Sequence, residues 1–320
     1  MNYIIHEGDV RAVLPTLEAG SVHTCVTSPP YWGLRDYGAD GQLGLESTPA
    51  EYIEKMVAVF REVRRVLRDD GTLWLNLGDS YAHDDKWGGA TGGKHVPELH
   101  GGAGLGREKT VTGLKPKDLV GIPWAVAFAL RADGWYLRSD IIWHKPNPMP
   151  ESVTDRPTKA HEYLFLLAKS AKCYYDADAI AEASVKGAAG SDFHTGKTGG
   201  HQLGRASTEP RSDDTSTRNK RTVWTVATQP YAEAHFATYP EKLIEPCILA
   251  GCPVGGVVLD PFNGSGTTGA VAVKHGRNYV GIELNPAYIE MAKDRIGRAL
   301  KPGTYQSQRP VEAPLFGGGV

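Results

Sequence analysis

The chain has few cysteines, no long apolar run and no large charge of either sign. Its four cysteines, Cys25, Cys173, Cys247 and Cys252, form no C-x-x-C pair, and no histidine cluster stands beside the two that are close in sequence. That argues against a metal site and against a disulfide scaffold, so reduced thiols and a cytoplasmic protein are expected. No stretch reaches the roughly 18 to 20 apolar residues that span a bilayer. The start, Met1-Asn2-Tyr3-Ile4-Ile5-His6-Glu7, lacks the basic head and apolar core of an export signal. No membrane partner is expected. With 35 Lys and Arg against 37 Asp and Glu, the formal charge of −2 gives no global basic field for nucleic acid, although local clusters still can.

What is present is a globular composition, 41% hydrophobic and 22% charged, long enough for one large α/β domain with insertions. Strands are predicted at 3–6 and 22–27, the second ended by Ser28-Pro29-Pro30, because two prolines cannot continue a central strand. Ile53, Met56, Val57, Phe60, Val63 and Leu67 recur at helical spacing, which predicts an amphipathic helix over 50–67, stopped near Asp69-Asp70-Gly71. A buried strand over 72–77, a helix over 118–132 and a strand pair over 135–143 and 163–167 follow. The last third alternates cleanly: helix 240–250, strand 257–259, helix 267–275, strand 279–282, helix 286–300. Such alternation predicts a doubly wound α/β fold, a mostly parallel sheet covered on both faces. Residues 1–300 read as one domain with two insertions, a Gly/His-rich stretch over 83–113 and a basic Gly/Ser/Thr-rich stretch over 184–222. The tail over 301–320 is expected to be loose.

Two strand ends carry chemistry. Val257-Val258-Leu259-Asp260-Pro261-Phe262-Asn263-Gly264-Ser265-Gly266-Thr267-Thr268 reads as strand, glycine turn, helix, the place where open α/β sheets bind ligands. The next strand ends in Glu283, about twenty residues after the turn, where an acidic side chain grips a ribose diol. The turn has no Gly-Lys-Ser/Thr and no third glycine, and Asp260 would repel a pyrophosphate. A cationic, ribose-bearing ligand without phosphate fits: S-adenosylmethionine. At the other strand end, Pro29 and Pro30 remove two N–H donors and leave carbonyl acceptors, Ser28 adds a hydroxyl, and Tyr31 and Trp32 add flat faces. Acceptors beside an aromatic plate suit the amino group of a planar base, whose conjugated lone pair must be turned toward an electrophile.

These residues, in this order, resemble the beta group of amino-methylating DNA methyltransferases (the DNA methylase N-4/N-6 family), in which the catalytic motif precedes the cofactor motif. The resemblance rests on Gly8-Asp9, Ser28-Pro29-Pro30-Tyr31, Ile141-Ile142-Trp143-His144-Lys145-Pro146-Asn147, His235-Phe236-Ala237-Thr238-Tyr239-Pro240, the glycine turn, and Gly281-Ile282-Glu283-Leu284-Asn285-Pro286. It implies a Rossmann-like, S-adenosylmethionine-dependent fold with a seven-stranded sheet, six strands parallel and one antiparallel. It implies double-stranded DNA as partner, a flipped target base and direct transfer of methyl to its amino group. Catalytic roles would fall to Ser28, Pro29, Pro30 and Tyr31. Cofactor contacts would come from Asp9, Thr27, His235, Phe236, Asp260, Pro261, Phe262, Gly264, Ser265, Gly266, Thr267, Glu283 and Leu284. DNA contacts are expected from Trp143 and Lys145 and from Arg205, Arg211, Arg218, Lys220 and Arg221 of the basic insertion. Oligomeric state is left open, a homodimer included.

Ser in the first catalytic position is the form the family associates with cytosine-N4 transfer, so that product is favoured over adenine-N6. Carbon methylation of cytosine would need a cysteine nucleophile, and Pro246-Cys247 falls inside a predicted helix, where a buried thiol is the better account. Fold relatives with Asn-Pro-Pro-Tyr act on RNA or protein glutamine, but the first residue and the permuted order here differ. A nucleic-acid-binding protein that retains only cofactor binding is the non-enzyme rival, and the intact Ser28 turn tells against it.

Overall fold

The computed structural model describes residues 1–34, 41–82, 113–183, 217–229 and 238–300. In chain order the elements are β1 (Tyr3–Glu7), α1 (Val10–Val13), β2 (Val22–Thr27), α2 (Pro49–Val66), β3 (Leu67–Leu77), α3 (Ile122–Ala132), β4 (Tyr136–His144), β5 (His161–Ala168), β6 (Glu182–Ala183), β7 (Thr217–Arg218), β8 (Val223–Thr225), α4 (Glu241–Gly251), β9 (Val257–Asp260), α5 (Thr267–Lys274), β10 (Asn278–Glu283) and α6 (Pro286–Ala299). The main sheet runs β1-β10-β9-β2-β3-β5-β4-β8, with β5 antiparallel to both neighbours and every other pairing parallel. The seven expected strands are there, and β8 adds a short eighth at the β4 edge. β6 and β7 pair separately, Glu182 opposite Arg218, so the basic stretch rejoins the described chain through a small antiparallel ladder.

The helices form where local chemistry starts them. At α2, the Thr48 hydroxyl accepts the Glu51 N–H at 3.2 Å, Glu51 accepts the Ser47 N–H at 3.1 Å, and Pro49 occupies the first turn. The buried stripe Tyr52, Met56, Val59, Phe60, Val63 and Val66 joins Ile122, Val126, Ala127 and Leu130 of α3 in one core. Leu243 and Ile248 of α4, Val271 and Val273 of α5 and Ile296 of α6 build a second core. Alternate residues of β3 feed the two: Leu73, Leu75 and Leu77 the first, Trp74 the second.

Two boundaries differ from expectation. The first helix ends at Val66, and Asp69-Asp70-Gly71 lies within β3 rather than after the helix. Val22 already pairs with Leu67, and the ladder resumes at Thr24 and Thr72, so the intervening residues bulge outward, with Arg68, Asp69 and Asp70 exposed. The helix expected from residue 118 begins at Ile122. Gly121 stands before it in the left-handed region with φ 80°, and the Asp79 carboxylate accepts the N–H groups of Gly121 at 3.0 Å and Ile122 at 3.2 Å.

The parallel strands β1, β10, β9, β2, β3 and β4 deliver their carboxyl ends to one rim of the sheet. Because β5 runs the other way, it brings its first residues, His161 and Glu162, to that same rim.

Candidate active site

One continuous cavity opens at this rim, lined by Asp9, Ser28, Pro29, Pro30, Tyr31, Asn76, Trp143, Glu162, Tyr239, Pro261, Phe262, Gly264, Ser265, Thr267, Glu283, Leu284 and Tyr288, among others. The glycine turn and the Ser-Pro-Pro-Tyr turn, 233 residues apart in chain position at Thr27 and Asp260, meet because β2 and β9 are sheet neighbours.

The first half of the cavity is built on β9, β10 and β1. Glu283 accepts the N–H of Gly264 at 2.7 Å on one oxygen and that of Asn285 at 2.9 Å on the other. Each oxygen keeps a second lone-pair direction, enough to hold a vicinal diol. Burial raises the Glu283 carboxyl above its ordinary range, and the backbone N–H bonds oppose part of that shift. Asp9 caps α1, accepting the Arg11 N–H at 2.8 Å, and is paired with the Arg11 guanidinium, which chiefly holds its pKa low. Gly266 stands at φ 78°, and a Cβ there would lie 2.7 Å from that of Ala292, so α6 packs directly on the turn. From α6, Arg295 donates to Thr267 Oγ1 at 2.7 Å and Ser265 Oγ at 3.2 Å, bracing the turn from behind.

Asp260, Thr27 and Gly266 are not on the cavity surface. The Asp260 carboxylate is buried and accepts from Thr27 Oγ1 at 2.6 Å, Thr268 Oγ1 at 2.7 Å, Phe262 N–H at 3.0 Å and the Tyr239 hydroxyl at 3.0 Å. It ties four segments together behind the wall. Burial raises its pKa, and these hydrogen bonds counter the rise.

The second half is built on β2, β3, β4 and β5. Ser28 Oγ donates to the Tyr31 hydroxyl oxygen at 3.3 Å, and the Tyr31 hydroxyl faces Glu162 Oε2 at 2.8 Å and Asn76 Oδ1 at 3.0 Å. Lys145 is paired with the other oxygen of Glu162 and lies over the Trp143 ring at 4.3 Å. Tyr31 packs so closely on Gly78 that a Cβ there would stand 2.5 Å from its Cε2. The Tyr52 hydroxyl donates to the Pro30 carbonyl at 2.9 Å, which fixes the proline turn.

The structure brings the expected Ser28, Pro29, Pro30, Tyr31, Trp143, Asp9, Pro261, Phe262, Gly264, Ser265, Thr267, Glu283 and Leu284 onto one cavity. Lys145 is engaged with Glu162. Arg218, Lys220 and Arg221 lie 3.6, 3.6 and 3.2 Å from Glu182 on β6. His235, Phe236, Arg205 and Arg211 lie outside the described residues. Sequence reasoning missed Asn76, Gly78 and Glu162. Asn76 was the readable one, a lone amide inside the apolar run Leu73-Trp74-Leu75-Asn76-Leu77. Cys247 sits buried in α4, its pKa pushed well up by burial, as expected of a structural thiol.

No Lys or Arg is among the described residues lining the cavity, whereas Asp9, Glu162 and Glu283 are. That donor set fits a cationic ligand with a ribose and disfavours a polyphosphate. A doubly wound sheet with this strand order, a glycine turn and a ribose-facing carboxylate is the architecture of S-adenosylmethionine-dependent methyltransferases. The solved structures agree. The Thermus thermophilus protein TTHA0409, a DNA modification methylase by its description and complexed with S-adenosyl-L-methionine, superposes with a TM-score of 0.56 at 25% identity, covering 95% of this chain and 97% of that one. The PvuII DNA methyltransferase (cytosine-N4-specific) shares the fold, with a TM-score of 0.61 at 18% identity over 94% of this chain and 93% of its own. Among curated proteins, the Type II methyltransferase M.Cfr9I of Citrobacter freundii is 50% identical over 91% of this chain and 87% of its own length. M.SmaI of Serratia marcescens is 49% identical over 91% and 89%. The N6/N4 DNA methylase family model matches residues 22–294. The chain belongs to that family: it is an S-adenosylmethionine-dependent DNA methyltransferase. No helix among the described residues is long and apolar enough to cross a membrane, and no group of three His, Cys, Asp or Glu side chains among them is placed to hold a metal.

Proposed function

We propose that the protein transfers methyl to the N4 amino group of a cytosine turned out of duplex DNA. The observation that carries this reading is that Ser28 and Glu283 line the same cavity. Glu283, Asp9 and Phe262 hold the cofactor, which supplies an electrophilic methyl group on a sulfonium. Ser28 Oγ and the Pro29 carbonyl then accept the two N–H bonds of the target amino group. With both bonds so occupied, the nitrogen pyramidalises and its lone pair points along the transfer line. The nitrogen–carbon bond forms as the sulfur–carbon bond breaks with its electron pair going to sulfur, and the nitrogen then sheds one proton. A stacked base cannot present its amino nitrogen in line, which is the reason for flipping. The Tyr31 ring lies at the cavity as a plate for that base. The Ser28 hydroxyl, the form of the motif associated with cytosine-N4 transfer, favours cytosine. Adenine-N6 transfer would use the same acceptors and is the second reading.

The test is Ser28→Ala, followed by single-turnover methyl transfer and by cofactor titration. The rate should fall about 100- to 1000-fold while cofactor affinity stays within a few-fold of the parent. An undiminished rate would remove Ser28 from the chemistry.

A further inference from the structure

A serine hydroxyl is both donor and acceptor, so its place in the cavity does not by itself make it an acceptor for an amino group. Its neighbours set the direction. Asn76 Nδ2 donates to the Tyr163 carbonyl at 3.1 Å, which turns Asn76 Oδ1 toward Tyr31. The Tyr31 hydroxyl therefore faces two acceptors, Oδ1 and Glu162 Oε2, and its single proton goes to one of them. Burial keeps that phenol protonated by raising its pKa well above the ordinary value, and the Glu162 charge adds to the rise. With the proton directed away, the Tyr31 oxygen is left to accept, and Ser28 donates into it.

We propose that Glu162 is a positioning residue for methyl transfer: its carboxylate, held on the far oxygen by Lys145, directs the Tyr31 proton away from Ser28, so that Ser28 donates to Tyr31 and presents its lone pairs to the substrate amino group. Glu162 reaches this place because β5 runs against its neighbours and starts where they end. The inference rests on Ser28 meeting the amino group, as proposed above.

The sharpest probe is Glu162→Gln, which keeps size and shape. Lys145 has only protons to offer, so it holds the glutamine carbonyl and turns the amide nitrogen onto Tyr31. That nitrogen, at the shorter distance, displaces Ser28 from the Tyr31 oxygen and frees the serine proton to oppose the substrate N–H. Single-turnover rates at saturating cofactor and DNA, cofactor affinity and thermal midpoints would be measured for Glu162→Gln, Tyr31→Phe, the double variant and Ser28→Ala. We expect Glu162→Gln and Tyr31→Phe each to slow transfer roughly 10- to 100-fold with cofactor affinity unchanged. The double variant should be no slower than the slower single, because both changes cut one chain. A parental rate in Glu162→Gln overturns the inference, as does a double variant showing the product of both losses. Should Glu162→Gln not fold, a parental rate in Tyr31→Phe overturns it alone. If Ser28→Ala also retains its rate, the proposed role of Ser28 fails; if only Ser28→Ala is slow, that role stands and the chain behind it fails.

Discussion

The Glu283 carboxylate accepts the Gly264 N–H at 2.7 Å, so the residue that ends β10 also clamps the turn that leaves β9. Ribose grip and glycine turn are thus one mechanical unit. Burial raises the Glu283 pKa. Between its ordinary and raised values the folded chain binds more protons than the unfolded one, so this group's contribution to ligand-free stability falls as pH rises through that window. Cofactor affinity should run the other way, strengthening as Glu283 ionises and becomes acceptor-only. Glu283→Gln should weaken cofactor binding roughly 10- to 100-fold and remove that pH dependence, read by calorimetric titration across acid to neutral pH. Asp9, held low by Arg11, titrates below the window and leaves it to Glu283. A variant that binds as tightly as the parent would place the ribose elsewhere.

Gly78 tests the seat of Tyr31. With a Cβ 2.5 Å from the ring, Gly78→Ala must push Tyr31 into the cavity or tilt it. Displacements of this size in a positioning group cost on the order of 100-fold in rate. Single-turnover transfer should fall by about that factor with cofactor affinity retained, since Gly78 lies on the half built by β3. A loss of cofactor affinity without a loss of rate would show that the two halves are coupled differently.

Asp260 carries a stability prediction. Its two oxygens satisfy four donors from Thr27, Phe262, Tyr239 and Thr268. Asp260→Asn turns two N–H groups onto part of that donor set, which should cost about 2 to 4 kcal/mol in urea unfolding. A variant of parental stability would mean that the four segments are held by packing alone.

Arg218, Lys220 and Arg221 converge on Glu182, three cations on one carboxylate. If this cluster meets DNA phosphates, changing all three to Gln should lower affinity and flatten the log affinity against log salt plot by about 0.9 for each phosphate no longer neutralised. Equal slopes for parent and variant would show a surface held together by its own ion pairs.

The sheet was readable because apolar residues alternate at the right periods. The glycine turn and Glu283 were readable because a strand, a turn and a second strand fix their separation. What escaped was orientation. Asp260 reads as a cofactor ligand from its motif, yet it points inward, since Thr27 of β2 is its neighbour across the sheet and only the strand order reveals that. Glu162 escaped because the strand pair over 135–143 and 163–167 shows its hairpin-like character in sequence but not which end reaches the rim. Gly78 escaped because a glycine required by a neighbour's ring, rather than by its own backbone, leaves no local mark. The offset start of α3 had the same cause, a carboxylate from Asp79 that caps it from another element.

The chemistry assigned to this cavity is tested most directly by its product. Purified protein, unmethylated duplex DNA and isotope-labelled S-adenosylmethionine would be incubated, the DNA digested to nucleosides, and the labelled nucleoside identified by mass and by comparison with standards. N4-methylcytosine is the expected product. N6-methyladenine would keep the cavity and its acceptors but contradict the assignment of Ser28 to cytosine, and 5-methylcytosine would contradict the mechanism itself.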